Sequence, residues 1–353
     1  MPQSTFDTLI IGQGLAGSAL AWHLIQAGQR VCVVDDRHAS ASSMVAAGLV
    51  NPLAGMRFNR RPEVPDWLAA ADRWYGELQT GFGPRLFHPL PMLRLFRSAK
   101  QRRFYERSTE DPACRDLLGA AFAPDRCPEA VRAPFGGFGQ YRTGYVDLPQ
   151  LLLRMRAWLS ALGCLVERAL DCEQIECVAG VVRAEELRAN RLIFCDGARL
   201  RFNRWFRDLP LAPDKGEILN VKIANWQTRH IINGAHWLVP LDNGEVRLGA
   251  THEHRQLDHH PTGAARQALL AGLAELLPTA TSTQLVRHQA GIRPATSDRY
   301  PLIGAHPDCP NLWVFNGFGA HGALQAPWYA ERLTAHLRSA VPLPAEADIR
   351  RFE

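Results

Sequence analysis

Two short loops, one near each end of the sequence, share the glycine spacing G-x-G-x-x-G: GQGLAG at Gly12–Gly17 and GFGAHG at Gly317–Gly322. In such a loop one glycine permits a tight turn, the next lets the backbone approach a pyrophosphate, and the last lets a helix pack closely on a strand. Asp35 follows Gly12 by 23 residues, where a carboxylate can accept both hydroxyl groups of an adenosine ribose. Because an acid there disfavours the 2′-phosphate of NADP, the first loop predicts a site for NAD or FAD.

The sequence around the first loop predicts a complete β-α-β unit. FDTLII (6–11) and RVCVVDD (30–36) are typical of buried strands, and SALAWHLIQAG (18–28) has apolar residues at helical spacing followed by a glycine stop. The helix would begin at the loop, so its free N–H groups and positive dipole end would face an anionic ligand.

The second loop is also preceded by a predicted strand, NLWVF, and followed by a predicted helix with Pro327 near its first turn. However, Ala340 stands where the ribose-binding acid would fall, and residues 341–353 are too short and proline-rich for a second dinucleotide domain. The second loop therefore presents a helix N-terminus to an anionic or electron-rich group, without opening a domain of its own. This disfavours reductases that bind two dinucleotides and need a separate NAD domain.

The composition limits the class of protein. A chain of 353 residues, 46% of them apolar, can bury a large core or two ordinary ones, and no apolar run approaches the roughly 18 residues of a membrane span. No signal peptide is evident, so we expect a cytoplasmic protein. The eight cysteines include no C-x-x-C pair, which argues against a dithiol or metal centre. The net charge of +5 comes from dispersed arginines, so we expect no nucleic-acid partner, and the one dense basic run, 100–108, is typical of a solvated helix.

Segments along most of the chain resemble the D-amino-acid oxidase superfamily of FAD-dependent oxidoreductases, which includes glycine oxidase and sarcosine oxidase. The resemblance rests on the β-α-β unit and on GIRPATSDRYPLIGAHPDCPNLWVFNGFGAHGALQAP (291–327), with SSMVAAGLVNP (42–52), GYVDLPQLLLRMRAWLSALG (144–163) and ANRLIFCDGA (189–198) in the same order. It implies an α/β fold in which a Rossmann-type FAD-binding domain (residues 1–80, 145–213 and 288–353) is interleaved with a mixed-sheet α+β substrate domain (81–144 and 214–287).

The resemblance implies one FAD, with its pyrophosphate on the first loop and its flavin ring against the second. The flavin would be non-covalent, because Gly291 stands near the position of the family's attachment cysteine. The residues expected to bind FAD are Gly12, Gly14, Leu15, Ala16, Gly17, Asp35, Asp36, Ser42, Ser43, Ala46, Ala47, Gly48, Asp196, Gly197, Arg293, Gly317, Gly319, Ala320, His321 and Gly322.

The group that would hold a substrate carboxylate is where this sequence departs from the better-known relatives. Relatives carry an arginine at the position of Ala320 or a lysine at the position of Leu324, and this chain has neither cation. Arg293 and His321 are therefore the catalytic candidates. Arg293 either binds a carboxylate or supports the flavin loop through an internal acid, and His321 either tunes the site or bonds to backbone.

Further residues are open to two readings. His252, His254, His259 and His260 are close in sequence, but GATHE resembles a strand end in the family, so we expect alternating histidines on one face of a strand and no metal. Tyr145, Trp237 and Phe318 are candidates for a wall over the flavin or for core packing.

The predicted activity is oxidation of a C–N bond of an amino acid or secondary amine, by hydride transfer to flavin N5. Three alternatives stay open: a dehydrogenase that uses a quinone or carrier protein, a tRNA-modifying FAD oxidase, and a non-catalytic flavin-binding protein. The expected partner is a small-molecule substrate, and the sequence makes no prediction of oligomeric state.

Overall fold

The computed structural model describes residues 5–37, 41–53, 55–178, 180–280 and 282–352. Its strands, in chain order, are β1 Thr5–Ile11, β2 Val31–Asp35, β3 Leu49–Val50, β4 Phe87–Pro89, β5 Met92–Leu95, β6 Leu118–Phe122, β7 Gly137–Gln140, β8 Gly144–Val146, β9 Leu165–Glu167, β10 Ile175–Val178, β11 Val181–Ala184, β12 Leu187–Phe194, β13 Asp214–Ile223, β14 Ile231–Asn233, β15 Trp237–Pro240, β16 Val246–Gly249, β17 Thr283–Arg293, β18 Leu302–Ala305 and β19 Leu312–Asn316. Its α-helices are α1 Leu15–Gln26, α2 Val64–Phe82, α3 Ala99–Glu110, α4 Leu148–Ala161, α5 Gly263–Leu276 and α6 Gly322–Ser339.

The chain divides into two compact units, each built from separated segments. The first unit contains Met1–Met44, Leu148–Asp214 and Ile292–Glu353, and the second contains Val45–Asp147 and Lys215–Gly291. The sequence assigned residues 45–80 to the FAD-binding domain, whereas these residues lie in the second compact unit. One reason is that β3 pairs with β8, with Leu49 opposite Tyr145. The functional division of the chain into a flavin and a substrate domain stays a prediction.

The first unit is built on a sheet with strand order β10-β11-β12-β1-β2-β9, and β19 pairs with β12 and β18. β1 runs parallel to both β2 and β12, and β19 runs parallel to β12. Every residue of β2 is buried, as expected of a parallel strand covered on both faces. Ile11 lies opposite Val34 and Phe194, and Phe194 lies opposite Val314. The carboxyl ends of these four strands therefore meet at one edge of the sheet.

Three helices pack on this unit. α1 is apolar on most of its surface, and the ring of its Trp22 lies 4.9 Å from the ring of Trp158 in α4. α1 also contacts α6 where both helices begin. Gly322, the first residue of α6, lies so close to Leu15, the first residue of α1, that a Cβ atom built on Gly322 would be 3.4 Å from Leu15 Cδ2. Both helices begin at this contact, directly after the two glycine loops.

The second unit contains a sheet with strand order β17-β13-β16-β15-β14-β5-β7-β6 and a small sheet β3-β8-β4. The larger sheet is mixed, because β14 and β5 are parallel whereas β16 is antiparallel to β13 and β15. Leu248 of β16 packs with Leu269 and Leu273 of α5 on one face. Val239 of β15 packs with Tyr145 in a separate cluster.

The α/β architecture with mixed sheets agrees with the predicted fold class. In the part of the chain that the structure describes, none of the helices has both the length and the apolar character needed to cross a bilayer.

Candidate functional site

The first glycine loop turns where side chains cannot fit. Gly12 has φ of +99°, a conformation that glycine adopts without steric cost, and a Cβ atom on it would lie 2.6 Å from the Cys195 carbonyl oxygen. A Cβ on Gly17 would lie 1.9 Å from the Gly12 carbonyl oxygen. Both glycines are therefore required to pack the loop against β12 and helix α1.

Gly14 has a different environment. It is the N-cap residue of α1, it has no side chain to cap the helix, and the nearest atom to a Cβ built on it is Ser43 Oγ at 3.6 Å. Ser43 Oγ also accepts a hydrogen bond from the Leu15 N–H at 3.2 Å. Like every helix N-terminus, this one directs the N–H groups of its first turn, including that of Ala16, out of the helix. A helix N-terminus with outward-facing N–H groups fits a pyrophosphate.

Asp35 lies at the end of β2, as predicted, and is only 5% exposed. Its carboxylate accepts a hydrogen bond from the Gln13 N–H at 2.8 Å and forms an ion pair with Arg156 Nη1 at 2.8 Å. Arg156 also donates to the Gln13 side-chain oxygen at 3.0 Å. Asp35 therefore fixes the first loop, in addition to the ribose role that we expect for it.

A cavity of about 180 Å³ opens at the ends of β2 and β12. Asp35 and Asp36 border it on one side and Asp196 on another, with Leu170 and Phe202 among its apolar walls. Asp36 forms an ion pair with Arg199 at 2.8 Å. Carboxylates beside apolar walls match the needs of a ribose and an adenine ring, so the residues present fit the adenosine end of FAD.

Asp196 follows β12 directly and is held by two asparagine amides. Asn316 Nδ2 donates to Asp196 Oδ1 at 2.9 Å, and Asn203 Nδ2 donates to Asp196 Oδ2 at 3.3 Å. Desolvation by the surrounding protein nevertheless raises the pKa of Asp196 to about 6, because burial disfavours the charged carboxylate.

Asn316 forms hydrogen bonds with two separate segments of the site, the residues that follow β12 and the second glycine loop. Besides Asp196, its amide donates to the Gly197 carbonyl at 3.0 Å, and its side-chain oxygen accepts from the Gly317 N–H at 2.8 Å. One side chain thus joins the end of β12 to the start of the second glycine loop. We had not predicted this role for Asn316, and the only sequence signal for it is an asparagine immediately before a glycine loop.

The second loop also depends on glycine conformations. Gly317 and Gly319 have φ of +81° and +53°, and the Gly319 N–H donates to the Pro294 carbonyl at 3.0 Å. Ala320 and His321 follow, and His321 is the N-cap of α6 without a side-chain capping bond. Because Gly322 contacts Leu15, the two helix N-termini are neighbours within one unit, as expected if both loops serve one ligand.

The candidate Arg293 is engaged by an internal acid. Its Nη1 donates to Asp214 Oδ2 at 2.7 Å, and its carbonyl accepts from the Ala295 N–H at 2.9 Å. Of the two roles left open by the sequence, this ion pair favours support of the second glycine loop, whose Gly319 bonds to Pro294 next to Arg293.

Three residues expected to contact FAD lie in the second unit. Gly48 has φ of +70°, and a Cβ on it would lie 2.0 Å from the Val146 carbonyl oxygen. Ala47 is buried in the same cluster as Tyr145, and Ala46 precedes it in an exposed position. Ser42, which belongs to the first unit, is in a short 3-10 helix with Ser43.

The aromatic candidates pack against protein. The Tyr145 ring stacks on the His88 ring with centroids 4.6 Å apart, and burial raises the pKa of Tyr145 to about 12. Trp237 covers Gly249, where a Cβ would lie 2.4 Å from its ring. Phe318 is buried against Phe315.

The histidine-rich segment does not form the expected strand. β16 ends at Gly249, and within 251–262 only Glu253 forms an isolated bridge, to Lys215. Asp258 in this segment forms an ion pair with the buried Lys215 Nζ at 2.6 Å, so the segment is fixed by a buried cation and does not extend the sheet. Among the described residues, no group of three or more His, Cys, Asp and Glu side chains could hold a metal ion.

A family model supports the interpretation of this site. The model of the DAO family, described as FAD dependent oxidoreductase, matches residues 7–336. The chain belongs to the DAO family of FAD-dependent oxidoreductases. The predicted family, enzyme class and cofactor are therefore confirmed. The residues in this chain that fit FAD are the glycines of the first loop, with Asp35 at the end of β2 and Asp196 directly after β12.

Glycine oxidase of Pseudomonas aeruginosa is 27% identical to this chain, over 94% of this chain and 94% of that protein. The bifunctional protein MnmC of Azoarcus sp., named for tRNA 5-methylaminomethyl-2-thiouridine biosynthesis, is 28% identical over 97% of this chain but only 58% of its own length. The crystal structure of glycine oxidase from Geobacillus kaustophilus superposes with a TM-score of 0.83 at 21% identity, covering 99% and 98% of the two chains. This similarity confirms the predicted fold.

Proposed function

We propose that this DAO-family enzyme oxidises a C–N bond of a small amino acid or secondary amine to an imine, which water hydrolyses to a carbonyl compound. FAD, when bound, supplies the hydride acceptor. The observation that carries the proposal is the contact between the N-termini of α1 and α6, next to the adjoining strand ends. The similarity to glycine oxidases over nearly the whole chain supports the choice of substrate class.

The residues of this chain have separable tasks in the proposal. The first turn of α1 and Gly14 would hold the pyrophosphate, and Asp35 would orient the ribose. The N-terminus of α6, with Gly319 and His321, would face the end of the flavin that becomes negative on reduction, because a positive helix dipole stabilises that charge. Arg293 would hold this loop in place through its ion pair with Asp214.

Anaerobic reduction of the bound flavin tests the proposal. The purified holoenzyme is mixed without oxygen with glycine, D- and L-amino acids, sarcosine and other N-methyl amino acids, and polyamines, and the flavin absorbance is followed. We expect at least one amino acid or secondary amine to bleach the flavin, with ammonia or a primary amine released. A flavin that stays oxidised with the whole panel, but is reduced by dithionite, would contradict the proposal.

The electron acceptor is decided by a second measurement. We propose oxygen, because two of the similar proteins named above are glycine oxidases. Peroxide released in proportion to substrate during aerobic turnover supports an oxidase. Turnover only with a quinone or a carrier protein, and no peroxide, identifies a dehydrogenase.

We propose a small-molecule substrate and no RNA, despite the similarity to MnmC. The dense basic run lies on α3, where Lys100, Arg102 and Arg103 are exposed and Arg102 pairs with Glu106 one turn away. This arrangement is typical of a solvated helix face. A gel shift of tRNA that disappears with added salt would overturn this part of the proposal.

We also propose a cytoplasmic location. All eight cysteines are free thiols, as is usual in a reducing compartment. Fractionation of the producing cells tests this directly.

A further inference from the structure

Three arginine and lysine residues are buried in the part of the chain that the structure describes: Arg94, Lys215 and Arg247. Arg94 donates to two backbone carbonyls, at 3.0 Å each, and Lys215 donates to Asp258 and to the His260 carbonyl. Arg247 is different. It is only 9% exposed, yet its Nη1 has no hydrogen-bond partner among the described residues. Because a buried donor without an acceptor is unfavourable, the Nη1 group calls for a hydrogen-bond acceptor.

The sheet places Arg247 on a defined face of the second unit. In β16, Val246 and Leu248 point into the core under α5, so Arg247 points to the opposite face. Its cross-strand neighbours are Val239 of β15 and Asn220 of β13, which lie on the same face because paired residues point the same way. Val239 belongs to the cluster that contains Tyr145 and Ala47, and Ala47 lies in the segment expected to contact the flavin.

The charged neighbours of Arg247 leave its Nη1 without an acceptor. Asp147 Oδ1 forms a long ion pair with Nη2 at 3.9 Å, which is too far for a hydrogen bond. Asp147 is itself 41% exposed, and Glu245, which directly precedes β16, accepts from the Asn220 amide at 2.9 Å. Burial lowers the pKa of Arg247, and the charge of the neighbouring Arg287 lowers it further, while Asp147, Tyr145 and Glu245 act in the opposite direction.

We propose that Arg247 binds the carboxylate of the substrate. A planar guanidinium can donate two parallel hydrogen bonds to a carboxylate, which satisfies the orphaned Nη1 and pairs the charge in one step. The inference rests on the proposed amine oxidation, and it identifies an anchor that the sequence left unassigned. It also explains why Arg293 is not needed for this task, because Arg293 already has Asp214 as its anionic partner.

The decisive comparison uses matched substrates with and without a carboxylate. Sarcosine is compared with dimethylamine, glycine with methylamine, and D-alanine with ethylamine, in anaerobic flavin reduction by wild type, Arg247→Met, Arg247→Lys and Arg287→Met. Arg287 is the control, because it is an exposed arginine on β17 close to Arg247. In Arg247→Met we expect kcat/KM for the carboxylate substrate to fall by at least about 100-fold while the value for the matched amine is unchanged, since only the former loses its ion pair. Arg247→Lys should retain part of the preference, and Arg287→Met all of it.

A binding measurement keeps this inference separate from the proposed function. Acetate is titrated into the oxidised holoenzyme, and its Kd is read from the perturbation of the flavin absorbance. Wild type and Arg287→Met should bind acetate equally, and Arg247→Met at least about tenfold more weakly. If no amine reduces the flavin but acetate binding depends on Arg247, the proposed oxidation fails and the anchor stands.

Two outcomes overturn the anchor. One is unchanged acetate affinity and substrate preference in Arg247→Met with a full complement of FAD. The other applies if Arg247→Met loses FAD or fails to fold: Arg247→Gln, correctly folded and loaded with FAD, binds acetate as tightly as wild type. That outcome would mean that the position needs only a buried polar side chain for stability.

Discussion

Gly17 has no space for even a methyl group, since a Cβ atom there would lie 1.9 Å from the Gly12 carbonyl oxygen and 3.3 Å from Cys195 Cβ. We therefore expect Gly17→Ala to lower the free energy of unfolding by at least about 2 kcal/mol, as overpacking of a rigid site does, and to reduce the FAD content of the purified protein. Urea unfolding of the apoprotein and the ratio of flavin to protein absorbance measure the two effects.

Gly76→Ala is the matched control. Gly76 is exposed within α2, and nothing lies within 4 Å of a Cβ built on it, so alanine should stabilise the helix by about 0.5–1 kcal/mol. Equal stability and FAD content in the two variants would show that the close approach at Gly17 is not required.

Asp196 gives the apoprotein a specific pH dependence. Its folded-state pKa is raised to about 6, from the ordinary 3.8, so between these values the folded state holds a proton that the unfolded state has released. Stability from this group is therefore present below pH 3.8 and lost as the pH rises to about 6. Since Asp196 is partly exposed, we expect a loss on the order of 1 kcal/mol.

Asp196→Asn removes this titration. Between pH 4 and pH 6.5 the unfolding free energy of wild type should therefore decrease relative to that of the variant. Asp308→Asn, at an exposed site, should leave the difference flat. A wild type minus Asp196→Asn difference that does not vary with pH would refute the assignment.

The residues of the site differ in how far the sequence could identify them. The places of Gly12, Gly17 and Asp35 in the fold were predictable, because each follows from a local pattern with a known ligand geometry; their roles in binding stay predictions. The contacts of Asn316 and the proposed role of Arg247 were not predictable, because an asparagine that joins two segments and a buried guanidinium nitrogen without an acceptor are recognisable only after the sheets have assembled.

At the scale of elements, α6 ends in an unfavourable conformation. Its C-cap residue, Ala340, has φ of +52°, and in this left-handed region glycine avoids the steric cost paid by other residues. We expect Ala340→Gly to raise the free energy of unfolding by about 0.5–1 kcal/mol, measured by urea unfolding.

Ser339→Gly, one residue earlier and inside the helix, should have the opposite sign, because glycine lowers helix propensity there. Destabilisation of similar size in both variants would contradict the left-handed cap. FAD content should be unaffected in either case, since this helix end is remote in sequence from the glycine loop.

The elements around the two loops were predicted well from periodicity. The expected strands and helices appear as β1, α1, β2, β19 and α6, within a few residues of their predicted limits. The histidine-rich segment was predicted wrongly, because alternation in THEHR suggested a strand, whereas the ion pair between Asp258 and Lys215 fixes this segment beyond the end of β16. Local alternation could not reveal a partner from a distant strand.

At the scale of the whole molecule, FAD should contribute to stability mainly through its ADP half, since the proposed pyrophosphate and adenosine contacts lie within the first unit. We expect ADP to raise the melting temperature of the apoprotein and riboflavin at equal concentration to raise it less. Each tenfold increase of the ligand concentration above its Kd raises the free energy of unfolding by about 1.4 kcal/mol. Differential scanning fluorimetry of the apoprotein measures the shifts, and protection by riboflavin alone would place the main contacts elsewhere.

The division of the chain was harder to predict than its class. The resemblance to a family implied an interleaved α/β protein. Residues 45–80 nevertheless belong to the second unit, in part because β3 pairs with β8, about a hundred residues further along the chain. Boundaries of this kind are set by contacts between distant segments, and no local composition change marks them.

The interleaved chain has a consequence for biosynthesis. β1 and α1 leave the ribosome early, whereas α6, which packs on α1, follows only after nearly 300 further residues. At ordinary rates of translation this delay is roughly 15–60 s. During that time the nascent chain exposes the apolar surface that α6 will cover, so the first unit cannot fold segment by segment as it emerges. We expect cofactor capture to follow translation, and the early segments to depend on chaperones until then.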